Sequence, residues 1–439
     1  MNGLIKLMGD AQQFPLRSNW RTCLLGLAML LTFPLSTLAQ TPASTPASPE
    51  NVAPNAVPEG AASTTPESET APETAIPENA LEPQPDPLLP AMTVDRPLSP
   101  PEKDVLRSAL VELQNQALAE LQAGNIPGAF EIFNRELRLR RYLSIPEEVA
   151  ALSRVGAVAW RQSQVTELRL ITERLQQIEQ QIEARPEGNP NLPFRMAEAY
   201  ETIRAKDQAV ALYTKLLTQA QQQQNVNRQI QLLTALGNLH LSWFEYPSAA
   251  AAYEQLSQVA EAKGDRTTQA TALEQLARIY TENNQPTEAI ASQQKLVELY
   301  RSQRNLQPVP GLKLAMGEGF AALGQTDAAI ANYQEAFAVA RSVQQLAYAS
   351  DALQRLATLY RTQNRFDEAL AAYRLLLDVE QQSYNTLGMM NTYDQIGQLL
   401  KERGNQPQAL VAFQQGLQLA QQLRYKVDYF NTQIQTLSQ

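Results

Sequence analysis

Four columns of similar residues recur every 40 positions along most of this chain, and that regularity limits the fold more than any other feature. One column reads Ala129, Arg169, Ala209, Ala249, Ala289, Ala329, Ala369 and Ala409. Four residues further on stand Phe133, Glu173, Tyr213, Tyr253, Gln293, Tyr333, Tyr373 and Phe413. Twelve residues before the first column lie Ala117, Ala157, Ala197, Gly237, Ala277, Gly317, Ala357 and Gly397. Three residues after each of those come Glu120, Trp160, Tyr200, His240, Tyr280, Phe320, Tyr360 and Leu400. A fixed period of this length marks stacked units, each too small to bury both of its own faces.

Within one cycle, Leu353, Leu356, Ala357 and Tyr360 are spaced i, i+3, i+4, i+7, the apolar stripe of one helix. Asn364-Arg365 then breaks the pattern, as do Gly124-Asn125, Asn283-Asn284, Gly324-Gln325 and Gly404-Asn405 in other cycles. Glycine and asparagine tolerate the left-handed backbone that ends a helix. Pro127, Asp207, Pro247, Asp327, Asp367 and Pro407 follow in one column, residues that a helix start accepts. A second stripe, Ala369, Leu370, Tyr373 and Leu376, completes the cycle. Each cycle is therefore a helix hairpin. The chain is expected to be all-α, with about eight hairpins stacked over residues 102–439 and a capping helix formed by 427–439. Abundant Ala, Leu, Gln and Glu agree with this, since all four are good helix formers.

The pairs Leu276-Ala277 with Tyr280 and Ala289, and Leu356-Ala357 with Tyr360, Ala369 and Tyr373, resemble the tetratricopeptide repeat pattern. The resemblance covers about residues 105–425 and implies a right-handed α-solenoid. The period is 40 where that family has about 34, which implies longer helices. The proline that usually closes the second helix is absent, and the cycle around Arg169 and Glu173 has lost its second-helix signature. In the resembled family the first helix of each repeat lines a concave groove that reads a partner. Mapped onto this chain, those positions are Asn238, Glu274, Arg278, Glu318, Gln354, Arg355, Thr358, Arg361, Asp394, Gln398 and Lys401. The family's clamp for a C-terminal carboxylate is not reproduced, because only Asn238 stands at a matching place. The lining suits hydrogen bonding to an extended peptide or a partner helix.

Residues 1–39 read as a secretory signal peptide. Lys6, Arg17 and Arg21 precede the apolar run 23–33, which Pro34 and the small-residue stretch STLAQ close. Cleavage after Ala39 is expected, and the protein would then be exported to the periplasm or another extracytoplasmic space. Left uncleaved, the segment would be a membrane anchor, short for a span of about 20 residues. Residues 41–101 hold 15 of the 27 prolines. Residues 40–101 are accordingly expected to be a disordered linker, acting as a solubilising spacer or as a tether that holds the solenoid off a surface.

The chemistry available is narrow. Cys23 lies in the signal, so the mature chain has no thiol, and His240 is its one histidine. Nucleophilic triads and the common zinc and copper sites lose their support. The glycines of GLKLAMGEGF fall at repeat positions and form no phosphate loop. No enzymatic activity, cofactor or metal site is expected. Residues 1–39 carry a net charge of +2 and residues 41–100 carry −8, which leaves −3 for the rest of the −9 total. There is no basic stripe, so nucleic acid is not an expected partner. The expected partner is a protein or peptide, and self-association through the solenoid ends is a further possibility. The stretch Trp243-Phe244-Glu245-Tyr246 places rings at a hairpin tip, either as an exposed contact patch or tucked under the next repeat. The combination of signal, solenoid and absent mature cysteine is also similar to exported cyanobacterial repeat proteins. Some of those act in photosystem assembly or manganese supply, and that is the alternative function.

Overall fold

The computed structural model describes residues 80–90, 96–184 and 188–438, all within the unit formed by 76–439. The signal segment 1–39 and the linker stretches 40–79 and 91–95 lie outside the described residues. Seventeen α-helices and no strands are present among the described residues. They pair as hairpins: α1 (Pro100–Gln122) with α2 (Ile126–Arg140), α3 (Ile145–Arg161) with α4 (Val165–Ala184), and α5 (Leu192–Thr202) with α6 (Lys206–Gln222). Next come α7 (Val226–Ser242) with α8 (Tyr246–Lys263), and α9 (Arg266–Glu282) with α10 (Pro286–Ser302). Then follow α11 (Val309–Ala322) with α12 (Thr326–Ser342), and α13 (Leu346–Thr362) with α14 (Phe366–Gln382). The eighth hairpin is α15 (Thr386–Glu402) with α16 (Gln406–Leu423), and α17 (Val427–Leu437) packs on α16 as a terminal cap. Each helix contacts mainly its neighbours in sequence, the arrangement of an α-solenoid.

Three-residue turns set this geometry. Left-handed residues stand at 204, 224, 244 and every twentieth position up to 424. Beside one of them, the Asn284 N–H donates to the Thr281 carbonyl at 3.1 Å and the Gln285 N–H to the Tyr280 carbonyl at 2.7 Å. These bonds satisfy carbonyls that the helix end would otherwise leave unpaired. The residue after the left-handed one also caps the next helix: the Asn225 side chain accepts from the Arg228 N–H at 3.1 Å, and Asp265 accepts from Thr268 at 3.2 Å. One short turn thus ends one helix and starts the next. At Tyr384 the left-handed residue is an exposed tyrosine (90% exposed, φ +54°), where Gly124, Gly264, Gly324 and Gly404 stand in other turns. A left-handed side chain costs about 1–2 kcal/mol, which the entropy of glycine offsets in part. Tyr384→Gly is therefore expected to raise the unfolding free energy by about 0.5–1 kcal/mol, measured by urea titration.

The small and aromatic columns meet as expected. A Cβ placed on Gly237, Gly317 or Gly397 would lie 2.7, 2.4 or 2.6 Å from the ring of Tyr253, Tyr333 or Phe413, respectively. Those rings are buried and sit where a side chain on the facing helix would be.

The second hairpin departs from the columns. Its inter-helix turn places the left-handed residue at Ser163, one position early, and both helices move with it. Gly156 therefore takes the small position assigned to Ala157, with Ile203 filling the space over it. Ala159 takes the core position assigned to Trp160, which is 48% exposed under the Arg204 guanidinium. Buried polar pairs replace the lost aromatic. Arg174 donates to Glu148 at 2.7 and 3.2 Å, and Arg140 and Arg154 both donate to Glu136. The Asn134 amide donates to Glu167 at 3.1 Å, and burial pushes the Glu167 carboxyl up.

Residues 80–90, read from composition as linker, pack against α2 instead. Ala80 and Leu81 are buried in the main core, and Leu88 and Leu89 lie against a cluster containing Leu98, Leu106 and Leu110. Helix α1 starts at Pro100, two residues before the expected boundary. Ser99 and Glu102 form a capping box there, and Arg96 grips the Glu102 carboxylate at 2.7 and 2.8 Å.

Candidate partner-binding surface

The eleven mapped residues all lie on first helices, from α7 to α15. All are exposed except Arg361, Asp394 and Gln398, which are half-buried. The structure brings Gln354, Arg355 and Thr358 together on one face of α13. They line a depression of about 480 Å³ with Asp351, Leu359 and Tyr333, the last on α12. Asp351 and Tyr333 were not among the mapped residues. Asp351 stands one turn before Arg355, so helical spacing marks it, whereas Tyr333 belongs to the aromatic column that packs over the small residues. Burial pushes the Tyr333 phenol up, so it stays a neutral hydrogen-bonding group at the floor of the depression.

Several mapped residues make contacts within their hairpin or to the next one. Arg355 pairs with Glu318, and Arg361 pairs with Glu402 while its Nη1 donates to Gln395 at 3.2 Å. The Tyr253 hydroxyl donates to Asn238 at 2.6 Å and the Tyr300 hydroxyl to Glu274 at 2.7 Å. Burial and the Glu274 carboxylate together push the Tyr300 phenol up to about 12. Arg278 donates to Gln275 one turn earlier at 2.7 Å and pairs with no carboxylate among the described residues. At the C-terminal end the capping helix occupies the mapped surface. The Tyr429 hydroxyl donates to Asp394 at 2.8 Å and accepts from Gln398 at 3.0 Å, and Lys401 donates to Gln433 at 3.4 Å. The surface left open to a partner thus runs over α7 to α13.

His240 is half-buried, with Nδ1 2.7 Å from the Glu245 carboxylate, which also pairs with Lys206. At that tip Phe244 is 76% exposed, while Tyr246 packs against the core. Among the described residues no three His, Cys, Asp or Glu side chains come together as a metal-ligand set. No helix there is long and apolar enough to cross a membrane.

Two stretches, residues 269–302 and 348–422, match the family described as tetratricopeptide repeat. The match is confined to these two stretches, 109 of the 439 residues. They fall on α9–α10 and on α13–α16, and the same hairpin geometry continues through the turns between them. Among curated proteins none matches this sequence. Solved structures with some likeness include the MamA protein, at 20% identity over 46% of this chain and 94% of that one, with a TM-score of 0.33. The apo form of RapI is 10% identical over 75% of this chain and 97% of its own, with a TM-score of 0.36. Aspartyl phosphate phosphatase F from Bacillus subtilis is 17% identical over 75% and 78%, with a TM-score of 0.34. Stacked helical repeats of this kind present an extended surface assembled from many units.

Proposed function

We propose that this chain is a non-enzymatic scaffold that works outside the cytoplasm and holds an extended segment of one partner protein along the first helices of its tetratricopeptide repeats. The observation that carries the reading is the depression on α13. Gln354, Asp351, Arg355 and Thr358 offer donors and acceptors of both kinds around the half-open space, with the Tyr333 ring beneath. That mixture suits a peptide main chain, which presents one donor and one acceptor per residue. The basic start and apolar run of residues 1–39 support export, and the acidic stretch after them supports a spacer role.

The binding half of the proposal is tested by Gln354→Ala combined with Thr358→Ala, leaving Arg355 and its inter-repeat pair in place. The expected result is loss of a captured partner by about tenfold or more in affinity, with the unfolding midpoint unchanged. Undiminished capture would remove the depression from the binding surface. The export half is tested by fusing residues 1–79 to a reporter active only outside the cytoplasm, and an inactive fusion would contradict it.

A further inference from the structure

Residues 80–90 lie on α2 as a bound peptide lies on a receptor. The chain there reads ALEPQPDPLLP, with four prolines in eleven residues. Three arginines one turn apart hold it, Arg135 and Arg138 on α2 and Arg141 at its C-cap. Arg135 grips the Asp86 carboxylate through Nε at 2.7 Å and Nη2 at 2.9 Å. Arg138 donates to the Ala80 carbonyl at 2.6 Å, and Arg141 donates to the Leu81 carbonyl at 2.8 Å. Leu81 is 7% exposed in the core between the two ends of this ladder. Within the segment, the Leu88 N–H donates to the Asp86 side chain and the Leu89 N–H to the Asp86 carbonyl.

This is side-chain recognition of a peptide segment: Leu81 is the apolar anchor, Glu82 lies 3.6 Å from Arg141, and the gripped carboxylate of Asp86 comes five residues after the anchor. A bidentate arginine–carboxylate pair supplies direction as well as attraction, and a proline-rich segment loses little entropy on binding because it is already extended. Helix α1 does not depend on the segment for its start, because Ser99, Glu102 and Arg96 cap it independently. The site is on a second helix, distinct from the first-helix face described above.

We propose that the arginine ladder Arg135, Arg138 and Arg141 is a recognition site for an extended, acidic, proline-rich peptide bearing a leucine five residues before an aspartate, and that residues 80–86 fill this site in cis as a displaceable strap. A partner segment of the same chemistry competes with the strap. The tether gives the cis copy an effective concentration of order millimolar, so the intact chain admits only a partner that is tighter or more abundant.

The test uses the full chain and a fluorescein-labelled peptide of sequence ALEPQPDPLLP. Weak binding is expected for the wild-type chain. Binding about tenfold or more tighter is expected for Asp86→Arg, in which the tethered copy is repelled while α2 is unchanged. Adding Arg135→Ala and Arg138→Ala to that chain should return the affinity to background. No saturable binding to the folded Asp86→Arg chain, or binding that survives loss of both arginines, overturns the proposal. If Asp86→Arg does not fold, the wild-type chain decides the matter. Excess unlabelled peptide should speed hydrogen exchange at the Leu88 and Leu89 amides, and unchanged exchange with millimolar peptide overturns the proposal.

Discussion

Phe413→Ala is expected to destabilise the C-terminal end of the solenoid by about 3–5 kcal/mol. The Phe413 ring is fully buried, seated over Gly397 of the facing helix and edge-on to Phe430 of the cap at 6.5 Å. Removing it opens a cavity that touches α15, α16 and α17 together. Because each repeat rests mainly on its neighbours, the loss should be local. Hydrogen exchange should therefore show α15–α17 opening before α7–α10. The complementary change, Gly397→Ala, puts a methyl group 2.6 Å from the same ring and should cost about 1–3 kcal/mol by overpacking. In the double variant the methyl enters the space the ring has left, so the combined cost should be smaller than the sum. Urea unfolding of the four proteins measures all three quantities. An additive result would show that the small and aromatic columns do not pack as one unit.

Glu380 gives the second large effect, and it depends on pH. This glutamate, at the end of α14, is 5% exposed and accepts from the Thr392 hydroxyl at 2.9 Å. Burial pushes its carboxyl up to about 7, with the Thr392 bond opposing the shift. The folded state therefore holds the proton more tightly than the unfolded chain does. This contribution to stability is complete below the ordinary carboxylate range near 4.5 and is lost as the pH rises toward about 7. A shift of this size corresponds to about 3 kcal/mol. Glu380→Gln keeps the shape and removes the ionisation. It should be the more stable protein at pH 8, and its advantage should vanish at pH 4. The difference between the two proteins, followed by thermal unfolding from pH 4 to pH 8, isolates this group from other carboxyls such as the half-buried Glu201, which burial also raises. A difference independent of pH would show that Glu380 is not buried in its ionised form.

The repeat was legible because its physics is periodic. The small residue at 237, 317 or 397 and the ring sixteen residues later meet in their hairpins, so both columns survive there in the sequence. The second hairpin was not legible in this way. A one-residue shift in the turn at Ser163 moves the whole register, and a column count assigns Trp160 to the core place that Ala159 holds. Composition also hid the strap, because proline and acid content marks a chain that cannot build its own core. It says nothing of three arginines that hold such a chain from outside.

The mapped surface was legible as positions and not as partners. Arg355 and Arg361 read as free recognition residues, yet the structure pairs them with Glu318 and Glu402 in adjacent repeats. Opposite charges about one period apart were the available signal. Arg107 with Glu147 and Arg403 with Asp367 follow the same rule. Asp394, Gln398 and Lys401 mapped to the surface as well, but a capping helix has to rest on the last repeat and does so on them.

The central claim is that a partner lies along the first helices, over the depression on α13. A photo-crosslinking amino acid at Thr358, compared with one at the exposed Gln414 on the second helix α16, tests it in the full-length chain. The account predicts a discrete crosslinked partner from position 358, none from position 414, and loss of the 358 product when Gln354 is replaced by alanine. A product from position 414 alone would place the partner on the opposite helices and contradict the account.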